Sequence, residues 1–213
     1  MSSASRDPEA ADSPRPGPGE PIAPVEITDP RALRALAHPA RIAILEHLVL
    51  DGPATATECA EVARLSASAC SYHLRALAKY GYVEEDKAKA IDGRHRPWRA
   101  TLVAVSIGGN PELPSATRAA GRLLVESFQS RLDEHRTEYL DREAEYSPQW
   151  QRAAGYTQGV VHATAEELIE LRERLSALVE EYARLDPANR PPGALRVGTY
   201  LEFIPWFDPE ASR

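Results

Sequence analysis

Ser66, Ser68, Ser71, Tyr72, Arg75 and Lys79 fall within one short stretch of the chain, interleaved with Cys70, Leu74 and Leu77. The apolar three recur at spacings of four and three residues, which is one face of a helix, so Ser68, Ser71, Tyr72, Arg75 and Lys79 take the opposite side and Ser66 stands at the helix start. Short hydroxyls let a helix come close to a polyanion. They and the free amides of a helix N-terminus donate to phosphates or base edges. Arg75 has the length and donor geometry for a guanine or a phosphate, and Tyr72 suits the sugar-phosphate backbone or a thymine methyl. A second basic cluster, Arg94-His95-Arg96, follows Asp92-Gly93. Arg94 and Arg96 on such a turn tip fit the phosphate backbone or the minor groove. The chemistry this pattern implies is recognition of double-stranded nucleic acid. His73 borders the buried face and reads as a packed, hydrogen-bonded histidine ahead of a base contact.

Other groupings carry less. Cys59 and Cys70 occupy apolar slots and read as two small core side chains; a thiol-redox role would need exposure and a lowered thiol pKa. Two separated buried cysteines do not cluster the thiolates that soft metals require. Trp150, Tyr156, His162, Tyr200, Phe203 and Trp206 are a candidate lining for a small organic effector, although aromatics at such spacing also make cores and dimer seams. No glycine-rich phosphate loop, nucleophile elbow or paired-carboxylate motif is present, so the chain is not expected to be an enzyme and no cofactor is implied.

The elements that must position the polar face are legible around it. Asp29-Pro30 caps a short helix that His38-Pro39 breaks, and Pro39 opens a second helix ending at Asp51-Gly52-Pro53. A third helix spans about Thr55 to Ala63, Arg64-Leu65-Ser66 is a tight turn, and Ser66 caps the helix bearing the polar face, which Gly81 stops. Val83 to Lys89 and Trp98 to Val103 read as two strands about a turn at 90–96. Helix, turn, helix and β-hairpin make a winged helix-turn-helix. Beyond it, a long helix over about Ser115 to Glu145 carries the stripe Leu124, Phe128, Leu132 and Tyr139. A strand at Thr157 to Ala163, a helix opened by the capping box Thr164-Ala-Glu-Glu167, and an alternating strand through Leu195, Val197, Thr199, Leu201 and Phe203 predict a β-α-β region. The fold class expected is mainly α with small β. Residues 1–26 form a Pro-rich disordered tail, 27–106 the winged helix-turn-helix domain, and 107–213 a C-terminal helical and α/β region for dimerisation and effector binding.

Composition sets the limits. The chain has 213 residues, a net charge of −7, 43% hydrophobic and 27% charged residues. No run of apolar residues is long enough to span a membrane, and the polar N-terminus lacks a secretory segment, so a cytoplasmic protein is expected. A net negative charge argues against a generally basic nucleic-acid binder. The charge is uneven, however. Residues 1–29 carry two Arg against six acids (−4), residues 30–105 eleven Lys or Arg against eight acids (+3), and residues 106–213 twelve Arg against eighteen acids (−6). One mildly basic module sits in an acidic chain.

Leu36-Ala-His-Pro-Ala-Arg-Ile-Ala-Ile-Leu45, Leu65-Ser-Ala-Ser-Ala-Cys-Ser-Tyr-His-Leu-Arg-Ala-Leu77 and Tyr80-Gly-Tyr-Val83 together resemble the ArsR-type winged-helix transcriptional regulators over about residues 28–105. The remainder is similar to the C-terminal extension of some actinobacterial regulators of that type. The resemblance implies a homodimer that places its third core helix in the major groove of an operator. It departs from the metal sensors of the family. Aligned on Ser71-Tyr-His-Leu74, the positions of their thiolate pair hold Thr55 and Thr57. Asp133-Glu-His135 matches half of a metal site on the family's C-terminal helix, without the second half. The resemblance therefore implies a DNA-binding regulator, in expectation a repressor, responsive to an organic ligand and not to a metal. The rival of another class is a protein-interaction scaffold built on a winged helix.

Overall fold

The computed structural model describes residues 25–87, 96–102, 104–107, 110–182 and 190–206. The expected tail at 1–24 and the Arg94-His95 turn tip lie outside them. The chain divides into two compact units, one running to Ala154 and the other beginning at Gly155.

The first unit opens with β1 (Val25–Glu26), then α1 (Pro30–Leu36), α2 (Pro39–Leu50), α3 (Ala56–Val62) and α4 (Ala67–Ala78). Each helix start has a local cause. Asp29 accepts the Arg31 amide at 2.8 Å ahead of Pro30. His38 Nδ1 accepts the Ala40 amide at 3.2 Å ahead of Pro39. Thr55 and Glu58 form a reciprocal capping box on α3, and Ser66 Oγ accepts the Ala69 amide at 3.2 Å on α4. The turn between α3 and α4 places Arg64 at φ 53°, and Gly81 ends the helical stretch at φ 72°. The first is a left-handed conformation uncommon for a residue with a side chain, the second the ordinary conformation of a helix-stopping glycine.

Strands β2 (Val83–Glu85) and β3 (Trp98–Ala100) pair antiparallel, with Val83 opposite Ala100 and Glu85 opposite Trp98. They are shorter than the periodicity predicts. Ala54, in the α2–α3 connection, adds a bridge on the other side of Trp98 through reciprocal backbone bonds of 2.9 and 2.7 Å. The sequence gives no warning of β4 (Val105–Ser106), which pairs in parallel with β1. Val25 and Glu26, expected to belong to the tail, are strand residues because they find a partner in Val105 and Ser106.

Leu36, Ile42, Ile44, Leu48, Cys59, Cys70, Leu74, Leu77 and Val83 are shut off from solvent in one core. Each large aliphatic buried there is worth about 1.5–3 kcal/mol. The long helix α5 (Ser115–Arg142) shares that core through Ala120 and Leu124 and packs on α1. This is why the first unit extends to Ala154 and does not stop near 106: the start of α5 is needed to cover α1. Thr117 Oγ1 donates to the Thr28 carbonyl at 3.0 Å and fixes that junction. A 3-10 turn (Glu143–Glu145) and α6 (Pro148–Ala153) complete the unit.

The second unit has one helix among its described residues, α7 (Ala165–Glu180), opened by the predicted Thr164–Glu167 capping box. The β-α-β expectation is corrected there. Residues 157–163 and 195–203 carry no strand, and many of their apolar side chains stay exposed, Val160 at 62% and Val197 at 64% among them. Alternation gives a strand only when a neighbouring strand takes up its backbone hydrogen bonds, and two short segments make a poor sheet.

Candidate nucleic-acid interface

The split faces of α4 are as the spacing requires. Cys70, Leu74 and Leu77 are fully buried, while Ser66, Ser68, Tyr72, Arg75 and Lys79 are exposed, Tyr72 at 60%. The face is therefore built by the core beneath it, which fixes the helix about its own axis. Ser66 and Ser68 meet through their hydroxyls at 3.1 Å at the open N-terminus. Ser71 is half-buried and donates its proton to the Ala67 carbonyl at 2.9 Å, so its oxygen offers only lone pairs outward. Lys79 Nζ lies 5.6 Å from the centre of the Tyr80 ring.

Arg96 is exposed at the start of the returning strand and reaches Glu85 at 3.3 Å. Arg99 pairs with Glu84 on the same ribbon. Arg96 is thus an exposed cation whose partner is a carboxylate across the ribbon. The expectation for Arg94 falls on residues outside those described.

His73 is 9% exposed and accepts Arg41 Nε at Nδ1, 3.3 Å away. It is a packed, hydrogen-bonded histidine. Burial, then His38, then Arg41 hold its imidazole below the usual histidine range. The sequence suggests two separated thiols, but Cys59 from α3 and Cys70 from α4 share one core, where the two helices pack together and the thiols influence each other. Burial pushes Cys59 up to about 12 and raises Cys70 as well. Such thiols are poor nucleophiles.

Thr55 spends its hydroxyl on the α3 cap, and His135 faces Glu46 at 3.6 Å. Among the described residues no group of three or more His, Cys, Asp or Glu is placed to hold a metal ion. Of the aromatic candidates, Trp150 lies on α6 in the first unit and is half-buried. In the second unit Tyr156, His162, Tyr200 and Trp206 are exposed and Phe203 is half-buried. Nothing among the described residues gives these side chains the burial of a preformed pocket.

Helix, left-handed turn and capped helix with an exposed Ser/Tyr/Arg/Lys face form one contiguous block. Residues 36–86 match the helix-turn-helix domain family. The match covers α2 to β2, with α4 as the second helix of a motif that commonly binds DNA. No curated protein matches the chain. No helix among the described residues is long and apolar enough to cross a membrane.

Proposed function

We propose that the chain is a cytoplasmic, homodimeric transcriptional regulator of the ArsR-like winged-helix type, a binding protein and not an enzyme, acting as a repressor on double-stranded operator DNA. The observation that carries this reading is the divided α4: a fully buried Cys70, Leu74 and Leu77 face turns an exposed Tyr72 and Arg75 outward beside a capped N-terminus. In this reading the β2–β3 ribbon is the wing, and Arg96 its backbone contact. Repression needs no more than occupancy of the operator. Dimerisation is supported by α5, whose Phe128, Leu132 and Tyr139 stay half-buried in the single chain. A two-fold pair covers them and sets two recognition helices about 34 Å apart, one DNA turn. The exposed aromatics of the second unit offer surface to an organic effector.

A mobility-shift assay tests the reading, using DNA from upstream of the protein's own gene and duplexes selected by the full chain from a randomised pool. A shift competed by the same duplex and not by random DNA is expected. Failure to select or shift any duplex overturns DNA binding and leaves the scaffold as the better account. A monomer mass in solution at micromolar protein removes the dimer.

A further inference from the structure

One guanidinium holds three helices at the base of the candidate interface. Arg41, near the start of α2, donates through Nη1 to the Ala35 carbonyl of α1 at 2.6 Å and through Nε to His73 Nδ1 of α4 at 3.3 Å. His73 immediately follows Tyr72 and lies two residues before Arg75, at the hinge between the buried and exposed faces. The His38 ring lies 4.6 Å from the His73 ring.

We propose that Arg41 and His73 form a proton-sensitive latch, which holds α4 in the position that presents Tyr72 and Arg75 to DNA while His73 is neutral and opens when His73 is protonated. The proposal rests on the DNA-binding reading above and adds a positioning residue and a regulating ion to it.

The hydrogen-bond directions carry it. Arg41 Nε can only donate, so His73 Nδ1 must accept, and the single proton of the neutral ring belongs on Nε2. A second proton has only Nδ1 to occupy. There it would set N–H against N–H and place a cation beside Arg41. His38 gives no relief, because its Nδ1 already accepts the Ala40 amide that caps α2. Of the elements packed against α4, α1 carries Arg31 and Arg34, α2 Arg41, Glu46 and His47, α3 Glu58 and Glu61, and β2 Glu84 and Glu85; the charged and titratable groups that act on His73 are His38, from the α1–α2 junction, and Arg41. The Tyr72 ring meets His73 edge-on at 5.5 Å from α4 itself. Both histidines are held below the usual range, with burial the larger cause in each. The cluster is therefore neutral and closed near neutral pH, and acid opens it.

The sign separates this latch from ordinary electrostatics. A histidine exposed to phosphates gains a proton on binding, and its protein binds DNA more tightly in acid. The latch requires weaker binding in acid.

The test is fluorescence anisotropy of the full chain on its selected duplex at constant salt, from about pH 7.5 down to about pH 5. Wild-type affinity is expected to fall on acidification, approaching about tenfold per pH unit for each recognition helix once below the His73 titration. His73→Gln keeps an acceptor for Arg41 and cannot be protonated. It should bind within about threefold of wild type at neutral pH and lose the acid decline. His38→Asn keeps the α2 cap and should retain the decline. If His73→Gln does not fold, imidazole nitrogen NMR on the wild type takes its place: the Nε2–H tautomer at neutral pH must disappear in step with DNA affinity. Wild-type affinity that is flat or rises in acid overturns the latch, as does a His73→Gln profile that falls like wild type, or a neutral His73 protonated on Nδ1. Absence of any selected duplex at neutral pH strikes instead at the DNA-binding reading, and the latch's role falls with it.

Discussion

Leu74 and Arg75 are adjacent in sequence and belong to opposite faces of α4, so substituting them one at a time separates folding from recognition. Leu74 is completely buried among residues of the first unit's core. Leu74→Ala removes its methyl groups from a packed interior and leaves a cavity, a loss of about 2–5 kcal/mol of stability. Arg75 is exposed. Arg75→Ala should change stability by under about 0.5 kcal/mol. In the proposed complex, loss of a base contact weakens binding by about 1–3 kcal/mol per half-site. Two symmetric half-sites double that to about 2–6 kcal/mol, roughly thirtyfold to more than ten-thousandfold in affinity. Thermal melting reads the first quantity and anisotropy on the selected duplex at fixed salt reads the second. Arg96→Ala should differ from Arg75→Ala by weakening all DNA sequences alike and reducing the salt slope by about 0.9 per lost phosphate contact. The reasoning is refuted if Arg75→Ala melts as low as Leu74→Ala, or if it binds its operator at wild-type strength.

Thr55→Ala should lower stability by about 0.5–2 kcal/mol at neutral pH through loss of the α3 cap, measured by denaturant unfolding. The Thr55 amide and hydroxyl hold the Glu58 carboxyl below its usual value. That contribution is present above the unfolded carboxyl's titration and lost as pH falls through the lowered one, so the deficit of the variant should shrink in acid. Tyr82 Oη is buried without a hydrogen-bond partner among the described residues. Tyr82→Phe should therefore leave the melting temperature unchanged or raise it, and a marked drop would reveal an unseen partner for the hydroxyl. Cys59 and Cys70, buried and raised, should resist iodoacetamide in the native protein and react in denaturant. Rapid native alkylation, or loss of DNA binding on mild oxidation, would instead revive a thiol-redox role.

The helix-turn-helix domain was legible because each of its elements carries its own signal. Caps at Asp29 and Ser66, the His38-Pro39 break and the Gly81 stop are local chemistry. The Cys70, Leu74 and Leu77 spacing then orients the one face that matters. What was missed depends on contacts distant in sequence. Val25 and Glu26 become a strand only because Val105 and Ser106 lie beside them. Cys59 and Cys70 meet only because the α3–α4 turn folds one helix onto the other. The spacing puts His73 at the border of the buried face, where it packs, but its donor, Arg41, lies 32 residues away and no spacing rule points to it. The two expected C-terminal strands did not form for the converse reason: alternation describes a surface that wants a partner, without supplying one.

The length of α5 has a consequence of its own. Its 28 residues make a rod of about 42 Å. Full burial ends at Leu124, and beyond it Arg131 Nε grips Glu46 at 2.9 Å while His135 faces the same carboxylate at 3.6 Å. Each residue turns a helix by about 100°, so the number of residues between Leu124 and Tyr139 fixes the compass bearing of whatever the far end carries. Insertion of a single residue between Phe128 and Tyr139 would swing Tyr139 about a quarter turn away from Phe128, however conservative the inserted side chain. Insertion of seven would return it to within about 20° and displace it by about 10 Å along the axis. The rod is thus indifferent to much of its composition and intolerant of its count, as a gear shaft is to its keyway.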